Sequence, residues 1–85
     1  MFDVKFTKSA TKDLNKLPKD IQKRIIKKLK FFAVQKDPLV FAKPLADLPP
    51  MTHRFRVGNY RVAFYIDSKA IYVDRIKHRR EVYLS

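Results

Sequence analysis

The sequence predicts an α+β domain: an N-terminal strand, a helical hairpin, then a three-stranded antiparallel meander that completes a small twisted sheet. Three observations carry this. Residues 1–6 alternate apolar and polar side chains. From Lys8 to Gln35, apolar residues recur at intervals of three and four. Beyond His53 the chain is rich in β-branched and aromatic residues, punctuated by Gly58-Asn59 and Ser68-Lys69.

At 85 residues the chain is expected to form one domain spanning 1–85, at the small end of what folds alone. It has no cysteine, so neither a disulfide nor a thiolate–metal site can staple it. Its 46% hydrophobic content must supply the core. No run approaches the ~18–20 apolar residues of a membrane span, and no signal-peptide pattern opens the chain, so a soluble, cytoplasmic protein is expected.

Phe2, Val4 and Phe6 fall on one side of the first strand, and Asp3 and Lys5 on the other. Thr7 or Ser9 can cap a short helix running to about Leu17, with Ala10, Leu14 and Leu17 on one stripe. A longer helix follows Pro18, from Lys19 to about Gln35, burying Ile21, Ile25, Leu29, Phe32 and Ala33. Asp37-Pro38 ends it, because a residue before proline is pushed out of the helical region. Residues 38–52 hold four of the five prolines but also Leu39, Val40, Phe41, Leu45 and Leu48, too apolar for a disordered linker. An ordered connector with one helical turn around 42–48 is expected. Strands are expected at His53–Val57, Tyr60–Asp67 and Ala70–Lys77, the first two joined by a two-residue type II′ turn at Gly58-Asn59.

The cations are sorted unevenly. Ten lysines and one arginine, Arg24, lie at or before Lys36, whereas six of the seven arginines fall between Arg54 and Arg80. Lysine is a hydrated point charge; arginine is a rigid fork that grips phosphate bidentately. With a formal net charge of +12 and a pI near 10.2, the chain calls for an anionic partner. The two-residue turn sets Arg56 opposite Arg61, with Arg54 on the same face, while Phe55, Val57, Tyr60, Val62, Phe64 and Ile66 form the core face. Continued through a second two-residue turn, the register adds Tyr65, Tyr72 and Asp74 to the arginine face, puts Arg75 on the core side, and favours His78 and Arg80 over Arg79. Like charges directly opposed destabilise a ladder, so the pair points to an anion site unless Asp74 or Asp47 neutralises it. Tyrosines among arginines suit RNA, whose phosphates take guanidiniums and whose unpaired bases stack on rings. Two histidines and scattered carboxylates show no metal-ligand spacing, and no metal or cofactor is expected.

Residues Ala42-Lys43-Pro44-Leu45, His53-Arg54-Phe55-Arg56-Val57, Tyr60-Arg61-Val62 and His78-Arg79-Arg80-Glu81-Val82-Tyr83, in this order and spacing after a strand and a basic helical hairpin, resemble the RelE/ParE superfamily of toxins from type II toxin–antitoxin systems. RelE-like members are ribosome-dependent endoribonucleases that cut mRNA in the A site; ParE-like members inhibit DNA gyrase and generally lack the catalytic set. Carried over, the RelE set falls on Arg54, Arg56, Arg61, Arg79 and Tyr83, which favours the RelE branch. RelE itself has lysines at the first pair, where arginine keeps the charge but shuttles no proton. The resemblance further implies RNA-binding roles for Arg54, Arg56, His78, Arg80 and Lys43, a cognate antitoxin as partner, and mRNA on the ribosome as target. The proton-transfer group stays open between Tyr83, favoured by resemblance, and His78, favoured by its intrinsic pKa. A gyrase inhibitor and a non-catalytic nucleic-acid or antitoxin-binding module are the competing readings.

Overall fold

A computed structural model describes residues 1–81. The chain is α+β, as its pattern predicts: strand β1 (Asp3–Phe6), helices α1 (Lys8–Asn15) and α2 (Lys19–Ala33), a 3₁₀ turn (Pro38–Phe41), and strands β2 (Lys43–Pro44), β3 (His53–Val57), β4 (Tyr60–Asp67) and β5 (Ala70–His78). The helical turn expected around 42–48 lies earlier, at 38–41, where the Asp37 carboxylate accepts from Leu39 N at 3.1 Å and caps it. Residues 43–44 instead form an edge strand. Among the described residues no helix is long and apolar enough to cross a membrane.

The sheet order is β1-β5-β4-β3-β2. β3, β4 and β5 form the expected antiparallel meander, β2 adds to it antiparallel, and β1 joins β5 in parallel, so the sheet is mixed. Gly58 takes φ +59° at the β3–β4 turn, the left-handed value that the first centre of a type II′ turn needs and that glycine adopts without a Cβ clash.

Both helices pack on one face. Thr7 caps α1 through its Oγ1, which accepts from Ala10 N at 3.2 Å. Ala10 and Leu14, four residues apart, are buried. In α2, Ile25, Leu29, Phe32 and Ala33 form the buried stripe, with Ile21 half-buried at its start. They meet Phe55, Val57, Val62, Phe64, Ile71, Val73 and Ile76 from the sheet. Three phenylalanines tie the layers together: Phe32 stacks on Phe55 at 4.0 Å between centroids, and Phe55 on Phe64 at 4.2 Å. Such pairs contribute about 0.5–1.5 kcal/mol each beyond their area burial.

The register departs from simple alternation at one place. Phe64 pairs with Val73 but Ala63 pairs with Arg75, leaving Asp74 as an extra residue in β5. A bulge of this kind reverses the side-chain parity beyond it. Ile76 therefore returns to the core, opposite Val62, and Lys77 comes opposite Arg61. This corrects the uninterrupted register: Arg75 lies opposite Ala63 on the arginine face, and His78 pairs with Tyr60 on the other.

Helix α1 holds the bulge. Thr7 N donates to Val73 O at 3.0 Å and Thr7 Oγ1 to Asp74 O at 3.3 Å. Asp13, only 8% exposed, accepts from Ile76 N at 2.9 Å and from Arg75 Nε at 3.1 Å on one oxygen. It thus satisfies a buried backbone donor where β1 has ended, which otherwise costs about 1–3 kcal/mol. Asp13→Ala is expected to lower stability by about 3 kcal/mol, since it also takes the carboxylate from Arg75, while Lys77 keeps Glu81. Asp13→Asn, which keeps an acceptor for Ile76 N, should lose less. Urea unfolding measures both, and equal midpoints for wild type and Asp13→Ala would refute the role.

Candidate phosphate-binding face

The sheet face turned away from the helices carries the cations. Arg56, Arg61 and Lys77 stand abreast on β3, β4 and β5. One step along, Lys43, Arg54, Ala63 and Arg75 form a second row across β2 to β5. Ala63, paired with Arg54 on one side and Arg75 on the other, is fully buried. Arg54 and Arg61 are half-buried, and Arg56 and Lys43 are exposed.

The neutralisation is one-sided. Asp13 pairs with Arg75 at 3.1 Å and with Lys77 at 3.8 Å, and Glu81 with Lys77 at 3.8 Å. Among the described residues no ion pair reaches Arg54, Arg56 or Lys43, and neither Asp47 nor Asp74 takes the neutralising role open to them in the sequence. The β5 side is balanced by carboxylates while the β3 side keeps its charge, which is the polarity an incoming phosphate would meet.

The remaining candidates separate. Arg79 lies just beyond β5, exposed, and its N donates to Asn59 O at 2.7 Å, fixing its backbone beside the β3–β4 turn. In the reversed parity it follows Arg75 and Lys77. His78 meets the Tyr60 ring edge-on at 5.3 Å, and its Nδ1 accepts from Arg80 N at 3.2 Å. That geometry draws the imidazole away from Arg61 and occupies one nitrogen. Arg80 is exposed in the same turn. Tyr83 lies outside the described residues. Tyr65 and Tyr72 reach the arginine face as expected, but stack on each other at 5.1 Å with Lys5 Nζ 5.9 Å from the Tyr72 centroid. His53 bonds Thr52 at the start of β3, where its Nδ1 is 2.9 Å from Thr52 Oγ1.

Lys77 is the residue that sequence reasoning missed. The signal was present: the apolar positions Ile71, Val73 and Ile76 step by two and then by three, which an unbroken strand cannot bury on one face.

A second surface lies in the helical layer. Phe31, Val34, Leu39, Val40 and Phe41 are exposed at the end of α2 and on the 3₁₀ turn, Val40 to 74%. The Phe31 and Phe41 rings touch at 5.7 Å and Lys28 lies over Phe31, so the residues form a patch rather than scattered exposures.

The opposed guanidiniums have a measurable consequence. Arg56→Gln is expected to raise stability in phosphate-free, low-salt buffer by about 0.5 kcal/mol, since it relieves a like-charge cross-strand pair. Added inorganic phosphate should raise the melting temperature of wild type more than that of the variant. A variant less stable than wild type without phosphate would show that the pair is not repulsive.

Comparisons with known proteins agree with this architecture. Residues 4–83 match the family model described as the ParE toxin of the type II toxin–antitoxin system parDE. Toxin RelG of Mycobacterium tuberculosis is 32% identical over 84 residues, covering 96% of this chain and 95% of that protein. The toxin–antitoxin complex RelBE2 from M. tuberculosis contains a chain of similar fold, with a TM-score of 0.76 and 32% identity over 94% of this chain and 93% of that one. The archaeal RelE–RelB complex from Pyrococcus horikoshii OT3 gives 0.72 and 26% over 95% and 98%. Family match, relatives and fold converge, and the chain belongs to the RelE/ParE superfamily of type II toxin–antitoxin toxins.

Proposed function

We propose that this toxin is a ribosome-dependent endoribonuclease that cuts mRNA in the A site and so inhibits translation, with side chains rather than a metal ion carrying the charge. One observation carries the reading: Arg56, Arg61 and Lys77 stand abreast on three neighbouring strands, beside Arg54, on a face that neither helix covers. Phosphate is a ligand that repays such repulsion. RelE-type names among the relatives at 26% identity and above support the same branch.

In the proposed reaction the neighbouring 2′-oxygen attacks phosphorus, the 2′-hydroxyl loses its proton and the 5′-oxygen leaves. Arg61, with Arg54 and Arg56, binds the phosphate and stabilises the charge that builds on its oxygens. Arg79 adds charge on the leaving side. Tyr83 accepts the 2′ proton: guanidiniums draw a phenol toward its phenolate, and Arg79 and Arg80 precede Tyr83 in the chain, whereas the structure turns His78 aside. Lys43 and Arg80 are further RNA contacts, while His78, held against Tyr60 on the other face, is assigned none.

A cognate antitoxin is the partner, as the solved relatives crystallised with theirs suggest. We assign it the apolar patch of Phe31, Val34, Leu39, Val40 and Phe41. Lys28 borders that patch at Phe31, so the covering segment should be apolar on one side and acidic at that margin.

The ParE match favours one other reading, inhibition of DNA gyrase. Mapping mRNA 3′ ends from translating ribosomes, alongside a supercoiling assay, separates the two. Wild type should cut A-site codons, Arg61→Ala should slow cleavage by about 10²–10³-fold, and Tyr83→Phe by about 10²-fold or more. Gyrase inhibition without mRNA cuts would overturn the ribonuclease reading, and full-rate cleavage by both variants would overturn the residue assignment. For the partner surface, Val40→Asp should weaken binding of the protein encoded by the adjacent open reading frame by at least about tenfold and leave cleavage intact. Unchanged affinity would place the antitoxin elsewhere.

A further inference from the structure

We propose that Lys77 is the general acid of this toxin, donating a proton from its Nζ to the 5′-oxygen that leaves the scissile phosphate. The proposal rests on the ribonuclease reading above and adds the one chemical function that reading lacks. The arginines of the basic face cannot supply it, because a guanidinium does not release its proton in a protein. Lysine carries the same charge and can. Lys77 sits directly opposite Arg61, where paired residues have their Cα atoms about 4.5–5.5 Å apart.

Its surroundings hold the ammonium in place without consuming it. Asp13 spends one carboxylate oxygen on Ile76 N and Arg75 Nε and presents the other to Lys77 Nζ at 3.8 Å. Glu81 likewise spends Oε1 on His78 N at 2.9 Å and presents Oε2 at 3.8 Å. Both contacts are longer than a hydrogen bond. Two anchored carboxylates thus tether the ammonium from the α1 side and from the turn after β5, while its three N–H groups are not locked into short bonds among the described residues. The Lys77 side chain is 21% exposed, sheltered but reachable from the open face.

The proton count closes. The 2′-hydroxyl gives its proton to the acceptor assigned to Tyr83, and the 2′-oxygen forms a bond to phosphorus. The bond from phosphorus to the 5′-oxygen breaks, and that oxygen takes a proton from Lys77 Nζ. The products are a 2′,3′-cyclic phosphate and a 5′-hydroxyl, and the neutral amine regains a proton from water. Without a donor the leaving group would depart as an alkoxide, and general acid catalysis is worth about 10²–10⁴-fold in such a step.

The test compares ordinary mRNA with mRNA whose scissile 5′-oxygen is replaced by sulfur, each presented on ribosomes to the full-length toxin. A thiolate, with a conjugate-acid pKa near ~8.5, leaves without help. Lys77→Arg, which keeps the charge and the tether but donates no proton, should cut ordinary mRNA about 10²-fold or more slowly than wild type and the sulfur-substituted mRNA within a few-fold of it. Lys77→Gln should show the same rescue if its melting temperature stays near that of wild type. Arg61→Ala should be slow on both substrates. Lys77→Arg cutting ordinary mRNA at the wild-type rate would make Lys77 a charge only, and equal slowing on both substrates would make it structural; either overturns the proposal while the ribonuclease reading stands. Wild type cutting neither substrate would overturn that reading and this proposal together.

Discussion

The arrangement of this protein turns on the carboxylate of Asp13. One oxygen accepts the backbone N–H of Ile76 just past the bulge at Asp74, at a depth where that donor finds no strand partner. Thr7, at the other end of α1, satisfies the carbonyl of the bulged residue itself. A bulge inside a small sheet is tolerable only if the groups it orphans are satisfied, and one eight-residue helix does this from both ends. The same bonds dock α1 on β5, so helix packing and strand register are a single problem with a single solution.

The register then determines the electrostatics. With Asp74 extruded, Ile76 joins the core and Lys77 completes a row with Arg56 and Arg61. Three cations abreast work against the ladder that carries them, by a few tenths of a kcal/mol to ~1 kcal/mol per opposed pair. The opposite face offsets this: Phe55 and Phe64 are fully buried and stacked, and Phe32 locks them to α2. β3 and β4 therefore carry stability on one side and like charges on the other, while Asp13 and Glu81 offset the charge of β5. Small domains have little stability in reserve, so the buried stack on the core face matters to the whole sheet.

The two surfaces that invite partners are kept apart by this layering. The strand arginines Arg54, Arg56, Arg61 and Arg75 gather on the open face of the sheet, and exposed phenylalanine, valine and leucine gather at the end of α2 and on the 3₁₀ turn in the helical layer. A polyanion and an apolar partner segment would meet different faces of one thin molecule. Inhibition by a partner on the helical side would then act through the sheet or through a further segment of that partner reaching the basic face.

Most of the fold was legible in the chain because local signals and burial agreed. Thr7 before an apolar stripe, Pro18 between two stripes, Asp37-Pro38 after them and Gly58 between two alternating runs each fix a boundary by backbone chemistry alone, and β3 and β4 begin and end where alternation begins and ends. The opposition of Arg56 and Arg61 followed from a two-residue turn and a period of two, with no tertiary knowledge needed. Strand β2 was not legible, since two residues carry no period, and the parallel pairing of β1 with β5 depends on contacts nearly seventy residues apart. The step of three from Val73 to Ile76 marks a break in the last strand, but what makes an extra residue stable there is not local: Asp13 accepts from Ile76, sixty-three positions away along the chain. The sequence by itself determined which side chains carry the charge and that three arginines share a face. Only the tertiary structure decided that Lys77, rather than His78, stands among them, because a single long-range hydrogen bond sets the parity of the last strand.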